Sequence, residues 1–177
     1  MAGLRHVPGQ EPAQILGHVV VHADRRDLPE LIQDAVNRAR PLAEAGQITL
    51  AMAPTPPDLP PVQGDRLRLD RVLTNLIDNA IKFVPPGGTI TIEAARAKTG
   101  VAVTVNDTGP GIPANQRERI FERFAQEKSG RERAGFGLGL AFCRSAIAAH
   151  GGRIWAEGGS HGVGTKIIFT LPAEPNR

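Results

Sequence analysis

Two asparagines and a lysine stand at helical spacing in residues 75–83. Asn75, Asn79 and Lys82 are separated by four and then three positions, so a helix would place them on one stripe. Amide oxygens are hard ligands suited to Mg²⁺, and a lysine ammonium is suited to phosphate. A stripe of this kind is also typical of a solvated helix face, so both interpretations stay open at this point.

The opposite face of the same segment has the residues needed for a core. Apolar side chains recur there at helical spacing: Leu69, Val72, Leu73, Leu76, Ala80 and Phe83. Asp65 can cap the N-terminus, and the run of residues 85–88, Pro-Pro-Gly-Gly, would end the helix. The segment is therefore predicted to be an amphipathic helix with one packing face and one polar face.

A second motif begins at Asp107. It follows the valine-rich residues 101–105, which indicate a strand. Gly109 and Gly111 would let the backbone approach a flat ligand closely. The Asp107 carboxylate could then accept a hydrogen bond from an exocyclic amine, although the glycines alone also fit a plain turn.

A third motif precedes the last apolar helical pattern. Gly135, Gly137 and Gly139 stand directly before a stretch that runs to about His150. Backbone N–H groups and the positive dipole end at a helix N-terminus form an anion site. Close helix packing is the alternative explanation for these glycines.

Together these segments resemble the ATP-binding catalytic domain of bacterial sensor histidine kinases, in the superfamily shared with gyrase and MutL-type ATPases. Four motifs in order are similar to the family's N box, first glycine box, F box and second glycine box: residues 75–83, 107–111, 121–124 and 135–140. The closing segments 150–155 and 164–172 are also similar to the family. The resemblance covers roughly residues 25–172.

The periodicities predict the order helix–strand–helix–strand–strand–helix–strand–strand, which suggests a two-layer α/β sandwich. We expect a first helix from about Leu28 to Gly46, a third helix at Leu138–Ala149, and strands at 47–53, 89–95, 101–107, 153–156 and 165–171. The resemblance implies the same fold, a mixed sheet covered by three helices on one face. It also implies that ATP lies between the helices and a lid, residues 112–136, which would hold one short helix at Gln116–Phe121.

We expect three parts along the chain. Residues 1–23 would be a linker or a remnant of an upstream dimerisation region, residues 24–172 the catalytic domain, and residues 173–177 a tail. The composition fits one domain, with Cys143 as a small core residue.

The resemblance implies a role for the polar residues of these motifs. Asn79 would bind Mg²⁺, Asn75 would support the metal or the phosphates, and Lys82 would neutralise phosphate charge. Asp107 would accept from the adenine amino group, and Thr165 would bridge to the same place.

It also implies roles for the glycines and aromatic residues. Phe83 would pack near the adenine, or would be ordinary core. The lid would be pinned by Phe121 and Phe124, and Arg131 and Arg133 are candidate phosphate contacts. Gly109 and Gly111 would permit close approach of the nucleotide. The lid hinge and the phosphate-facing start of the helix would be formed by Gly135, Gly137 and Gly139, with Leu138 among the nucleotide-binding residues.

The residue at position 75 bears on the reaction. Hydrolytic relatives carry Glu there as a general base for water, whereas an amide cannot take a proton at neutral pH. The site would therefore hold ATP with little hydrolysis. None of the five histidines stands in a phosphoacceptor context, and His22 is the nearest superficial match. We expect the acceptor to be a histidine on a separate dimerisation hairpin, upstream or in trans, with a response regulator downstream.

Composition excludes several other classes. The net charge is +3 with dispersed Lys and Arg and few aromatic residues, so a nucleic-acid partner is not expected. No apolar run approaches the roughly 20 residues of a membrane helix. We expect a cytoplasmic location, or the cytosolic part of a membrane-anchored kinase, and a monomeric segment.

Two alternatives remain from the sequence. One is a stand-alone serine-type kinase of the same superfamily, such as an anti-sigma factor, although that class would carry Glu at position 75. The other is a non-catalytic nucleotide-sensing module, against which the intact set of Asn75, Asn79, Lys82 and Asp107 argues. Neither a Walker A motif nor a dinucleotide-binding glycine pattern is present in the sequence.

Overall fold

The computed structural model describes residues 27–123 and 138–173. Within these two ranges, three α-helices and five β-strands follow one another in the predicted order. The helices are α1 (Asp27–Ala45), α2 (Arg66–Phe83) and α3 (Gly139–Ala149). The strands are β1 (Thr49–Met52), β2 (Thr89–Ala97), β3 (Gly100–Asp107), β4 (Ile154–Gly158) and β5 (Thr165–Pro172). Two short 3₁₀ helices are Arg119–Phe121 and Ser160–Gly162.

The strands form one mixed sheet in the order β1–β2–β3–β5–β4. β1 runs parallel to β2, and the other neighbouring strands are antiparallel. At the end of β3, Asp107 lies opposite Ile90 of β2 and Thr165 of β5. The register therefore brings Asp107 and Thr165 side by side at one end of the sheet.

One face of the sheet packs against the helices and forms the core. Because successive strand residues point to opposite faces, every second residue of the central strands is buried. These residues are Ile90, Ile92, Ala94, Val101, Val103, Val105, Ile167, Phe169 and Leu171. The residues between them are half-buried or exposed. The predicted two-layer α/β sandwich is confirmed.

Helix α2 begins and packs as its sequence predicts, except at its end. Asp65 Oδ1 accepts hydrogen bonds from the backbone N–H groups of Leu67 (3.0 Å) and Arg68 (3.1 Å). The apolar stripe is buried up to its last member. Phe83 is 39% exposed, so the expectation that it belongs to the core is wrong. The helix ends there, and the next residue, Val84, takes the buried position at 5% exposure.

The segment that begins the predicted lid is less regular than expected. The predicted helix at Gln116–Phe121 exists only as the 3₁₀ turn Arg119–Phe121, preceded by turns. Phe121 is the one residue of this stretch that is buried, at 3% exposure. A single buried side chain gives little packing energy to offset the cost of nucleating an α-helix.

Parts of the predicted organisation lie beyond the described ranges. These are the predicted linker at residues 1–23 and most of the tail, residues 174–177, whereas Ala173 pairs with Val62 in an isolated bridge. Within residues 27–123 and 138–173, no helix combines the length and apolar character needed to cross a bilayer.

Candidate functional site: a carboxylate and a polar helix stripe

Asp107 is held at the end of β3 by backbone groups from two directions. Its Oδ1 accepts a hydrogen bond from Gly109 N (2.8 Å) and another from Thr165 N (3.3 Å). Thr165 is only 5% exposed, so its backbone is a fixed support. Since both bonds end on Oδ1, the arrangement leaves Oδ2 to accept a hydrogen bond from a ligand.

Burial changes the acidity of this carboxyl group. Desolvation raises the pKa of Asp107, and the backbone hydrogen bonds from Gly109 and Thr165 oppose the rise in pKa without cancelling it. A carboxylate that is partly desolvated and yet supported by two N–H groups is a common feature of binding sites. It is therefore suited to a specific hydrogen bond from a ligand.

Three glycines bring backbone close to Asp107. A Cβ added at Gly109 would lie 2.9 Å from Asp107 Oδ1. Gly111 has φ +78°, and a Cβ there would lie 3.1 Å from Gly164 O. Gly164 has φ +76°, and its Cβ would lie 1.8 Å from Asp107 O. The loop after β3 and the start of β5 can pack this tightly only because these positions have no side chain.

The polar stripe of α2 lies on the side that the core leaves uncovered. Asn75, Asn79 and Lys82 are each partly accessible, whereas Leu76 and Ala80 beside them are buried. The predicted helical stripe is present, and its ligands remain a prediction.

The start of α3 lies against this stripe. A Cβ added at Gly139 would lie 3.6 Å from both Cγ and Oδ1 of Asn75. Leu138, at the N-cap position, is 45% exposed and contributes no side-chain cap. The first N–H groups of α3 have no intrahelical partners, as at every helix start, and they are a source of positive potential beside Asn75.

The end of α2 connects the polar stripe to the Asp107 loop. Lys82 Nζ lies 5.4 Å from the centroid of the Phe83 ring. The carbonyl oxygen of Phe83 lies 3.5 Å from the position that a Cβ would take on Gly109. The structure therefore brings the two predicted halves of the site, from the first glycine motif and from α2, to one end of the sheet.

The predicted lid residues divide between the described and undescribed ranges. Phe121 is part of the hydrophobic core, which fits an anchor at the base of the lid. Arg144 of α3 forms an exposed ion pair with Glu118, which shortly precedes Phe121 in the chain. The remaining predicted lid residues, Phe124, Arg131, Arg133, Gly135 and Gly137, lie outside the described residues.

Several contributors to the site were not predicted as site residues. Gly164 could have been found, because a glycine directly before Thr165 indicates a backbone constraint at that point. Two other contacts, between His150 and Asp65 and between Cys143 and Val72, join distant segments. No local sequence signal indicates them.

A carboxylate at the end of a central strand, beside a polar helix stripe and an uncapped helix start, defines a candidate nucleotide site of an α/β domain. Residues 64–175 match the family of histidine kinase-, DNA gyrase B-, and HSP90-like ATPases. The chain belongs to this family and contains its ATP-binding domain.

Relatives with similar sequence and structure are sensor kinases. The adaptive-response sensory kinase SasA of Nostoc sp. (strain PCC 7120 / SAG 25.82 / UTEX 2576) is 46% identical over 122 residues, which cover 68% of this chain and 30% of SasA. The nucleotide-free catalytic domain of histidine kinase ThkA is 36% identical with a TM-score of 0.72, over 84% of this chain and 95% of that domain.

Two further similar structures are complexes, one with a protein and one with an ATP analogue. ThkA in complex with the response regulator protein TrrA matches with a TM-score of 0.69 and 34% identity, over 84% of this chain and 41% of ThkA. Full-length ShkA in complex with AMPPNP matches with a TM-score of 0.72 and 32% identity, over 90% of this chain and 33% of ShkA.

The chain spans about 30% of the length of the curated relative SasA.

Proposed function

We propose that this domain binds Mg-ATP and donates the γ-phosphoryl group to a histidine on a separate dimerisation and phosphoacceptor hairpin, as part of two-component signalling. The observation that carries the proposal is the partly buried Asp107 carboxylate, whose Oδ1 is occupied by two backbone N–H groups and whose Oδ2 is left for a ligand. ShkA, which shares the fold, binds the ATP analogue AMPPNP.

At the base end of the site, Asp107 Oδ2 accepts a hydrogen bond from the adenine amino group in this proposal. Gly109 and Gly111 allow the backbone to lie close to the ring. Thr165 supports the carboxylate and contributes to the same end, and the half-exposed Phe83 is available to pack beside the base.

At the phosphate end, the donors present fit a magnesium ion. The described residues include no group of three or more His, Cys, Asp or Glu that could hold a metal. Mg²⁺ does not need such a cage, because it keeps several waters and binds through substrate phosphates and one or two protein oxygens. Asn79 supplies the amide oxygen, Lys82 neutralises phosphate charge, and the start of α3 at Leu138 and Gly139 supplies N–H groups. When bound, Mg²⁺ neutralises the charge that develops on the phosphates.

Asn75 determines which acceptor receives the phosphoryl group. An amide cannot remove a proton from water, so the site lacks a general base at this position. The site then supplies two things, positioning of the γ-phosphate and neutralisation of its charge. A partner histidine that is placed in line with the γ-phosphate can accept the phosphoryl group under these conditions.

The partners follow from this reaction. The phosphoacceptor hairpin is either the upstream region of the same kinase or a separate chain, and a response regulator receives the phosphoryl group afterwards. ThkA, a structural relative, forms a complex with the response regulator TrrA. We place the reaction in the cytoplasm, with this segment monomeric and without a nucleic-acid partner.

The proposal is tested by phosphoryl transfer from γ-labelled ATP. The chain is incubated with labelled ATP, with and without a two-helix hairpin that carries a phosphoacceptor histidine. We expect acid-labile label on the hairpin and none on this chain. Asn79→Ala should abolish the transfer, whereas Asn37→Ala, which removes an exposed asparagine on α1, should leave it unchanged. Stable label on this chain alone, or full transfer by the Asn79→Ala variant, would contradict the proposal.

A further inference from the structure

The side chain of Arg117 turns back from the beginning of the predicted lid towards the sheet. Residues 113–115 are exposed, and a backbone hydrogen bond from Gln116 N to Pro113 O (2.9 Å) closes the turn that they form. After this turn Arg117 is half-buried, and its Nε donates a hydrogen bond of 3.0 Å to the carbonyl oxygen of Ile112. The side chain therefore joins the two ends of the turn.

The far end of the same side chain lies beside Gly158 of β4. A Cβ added to Gly158 would lie 3.2 Å from Nη2 and 3.9 Å from Cζ of Arg117. The first of these distances is shorter than the optimal separation of two non-bonded heavy atoms. The guanidinium group thus occupies the space that a side chain at position 158 would need.

Gly158 belongs to a row of paired residues that leads to Asp107. It lies opposite Thr165 of β5, and Thr165 lies opposite Asp107 of β3. Paired residues of neighbouring strands share a face of the sheet, and here it is the face that packs against the helices, since Thr165 is only 5% exposed. Arg117 therefore lies at one end of the row, and Asp107 lies two strands away on the same face.

The loop after β3 is fixed at both of its ends. At its start, Gly109 N donates a hydrogen bond of 2.8 Å to Asp107 Oδ1. At its end, the carbonyl oxygen of Ile112 accepts the hydrogen bond from Arg117. Between these two points Gly111 has φ +78°, a conformation that glycine adopts easily and also leaves easily. The shape of the loop therefore depends on both anchors.

We propose that Arg117 is a positioning residue for adenine recognition, which holds the loop of residues 108–112 in place beside Asp107. The inference rests on the proposed function, which places the adenine there. Arginine is suited to this role because one rigid planar group reaches Ile112 O with Nε and Gly158 with Nη2, whereas lysine has a single ammonium group on a flexible stem. Without this contact the loop must be ordered again whenever the nucleotide binds, and that lowers affinity.

The direct test is hydrogen exchange at the backbone amide of Gly109, measured by NMR in ¹⁵N-labelled protein without nucleotide. The wild type should protect this amide, because it is bonded to Asp107 Oδ1. Arg117→Ala should speed its exchange about 5-fold, as for the loss of one hydrogen bond, whereas the amide of the buried Val103 in β3 should keep its protection. Arg119→Ala, which removes an exposed arginine of the same segment, is the matched control and should leave both amides unchanged.

A binding measurement then connects the loop to the nucleotide. We expect Arg117→Ala to weaken Mg-ADP binding about 5-fold, the equivalent of about 1 kcal/mol, and Arg117→Lys to recover little of the loss. Gly158→Val places a branched side chain where the guanidinium group lies, at a strand position that suits valine. It should reproduce the loss of affinity although Arg117 is still present. Added to Arg117→Ala, it should weaken binding no further.

Four results would overturn the inference. They are unchanged exchange at Gly109 in Arg117→Ala, an equal loss of protection at Gly109 and Val103, wild-type Mg-ADP affinity in Arg117→Ala, and losses of affinity that add in full when the changes at positions 117 and 158 are combined. If the wild type binds no nucleotide, the proposed function fails, while the exchange comparison still decides whether Arg117 holds the loop.

Discussion

His150 accepts a hydrogen bond of 2.8 Å at Nε2 from the backbone N–H of Asp65. Its Nδ1 lies 2.7 Å from the carbonyl oxygen of Ala146, to which it donates in the tautomer that leaves Nε2 free to accept. The side chain therefore ties the C-terminal end of α3 to the N-cap of α2. Because α2 carries the polar stripe and α3 starts beside it, this contact fixes how the two helices meet at the site.

Replacement of His150 by Ala should destabilise the fold. The change leaves the partly buried Asp65 N–H without its partner, whereas the Ala146 carbonyl keeps its hydrogen bond from the backbone N–H of residue 150. An unsatisfied buried group costs about 1–3 kcal/mol. Urea unfolding would measure the loss, with Ser145→Ala on the exposed face of α3 as the control. Equal midpoints for the two variants would show that the contact does not stabilise the helix pair.

Asp107→Asn should weaken adenine nucleotide binding while the fold is kept. The amide can still accept the two backbone hydrogen bonds at Oδ1, but it presents a donor where the carboxylate offers an acceptor. A mismatched buried polar group costs about 1–3 kcal/mol, or roughly 5–150-fold in affinity. Calorimetric titration with ADP would measure the effect, and Glu93→Gln on the open face of the sheet is the matched control. Wild-type affinity in a folded Asp107→Asn variant would exclude Asp107 from base recognition.

The same carboxylate should lower the stability of the nucleotide-free protein at neutral pH. Its pKa in the folded state is raised above the ordinary value of 3.8, mainly by desolvation, so the folded state binds more protons than the unfolded state between those two values. The contribution of Asp107 to the free energy of unfolding therefore falls as pH rises through its folded pKa. Nucleotide-free Asp107→Asn should be at least as stable as wild type at pH 7, and its advantage should disappear near the ordinary pKa. Urea unfolding of both proteins across this range checks the sign, and a less stable variant at pH 7 would contradict it.

Gly164 and Gly162 provide a matched pair for the packing around Asp107. Both have φ near the same positive value, +76° and +78°, but an added Cβ meets Asp107 O at 1.8 Å at Gly164 and nothing within 4 Å at Gly162. Gly162→Ala should cost about 1–2 kcal/mol, the strain of the left-handed conformation. Gly164→Ala should cost clearly more and should also weaken ADP binding, because the end of β3 must move. Thermal unfolding and titration of both variants test this, and equal losses would show that the close contact is unimportant.

The arrangement of elements could be predicted from the sequence because it depends on local patterns. The apolar stripe of α2, its Asp65 cap and the alternation in β3 are each visible in a short stretch of chain. The Asp107-Gly109-Gly111 motif was visible for the same reason. These local signals were sufficient for the element order and for most of the candidate residues.

The errors and omissions concern packing between distant segments. Periodicity alone cannot show that α2 ends at Phe83 and that Val84 takes the next buried position, so the prediction of Phe83 as a member of the apolar core stripe is wrong. The Asp65–His150 contact joins residues that are 85 positions apart, and only the folded helix pair brings them together. The contact between Cys143 and Val72 is of the same kind.

The most direct test of the account is calorimetric titration of the wild-type chain with Mg-ADP and, separately, with Mg-GDP. We expect one site for Mg-ADP, because Asp107 Oδ2 can accept a hydrogen bond from the amino group of adenine. Mg-GDP should bind roughly 5–150-fold more weakly, since guanine places a carbonyl oxygen there and two acceptors would face each other. Absence of heat and of thermal stabilisation with millimolar Mg-ADP, or equal affinity for the two nucleotides, would contradict the account.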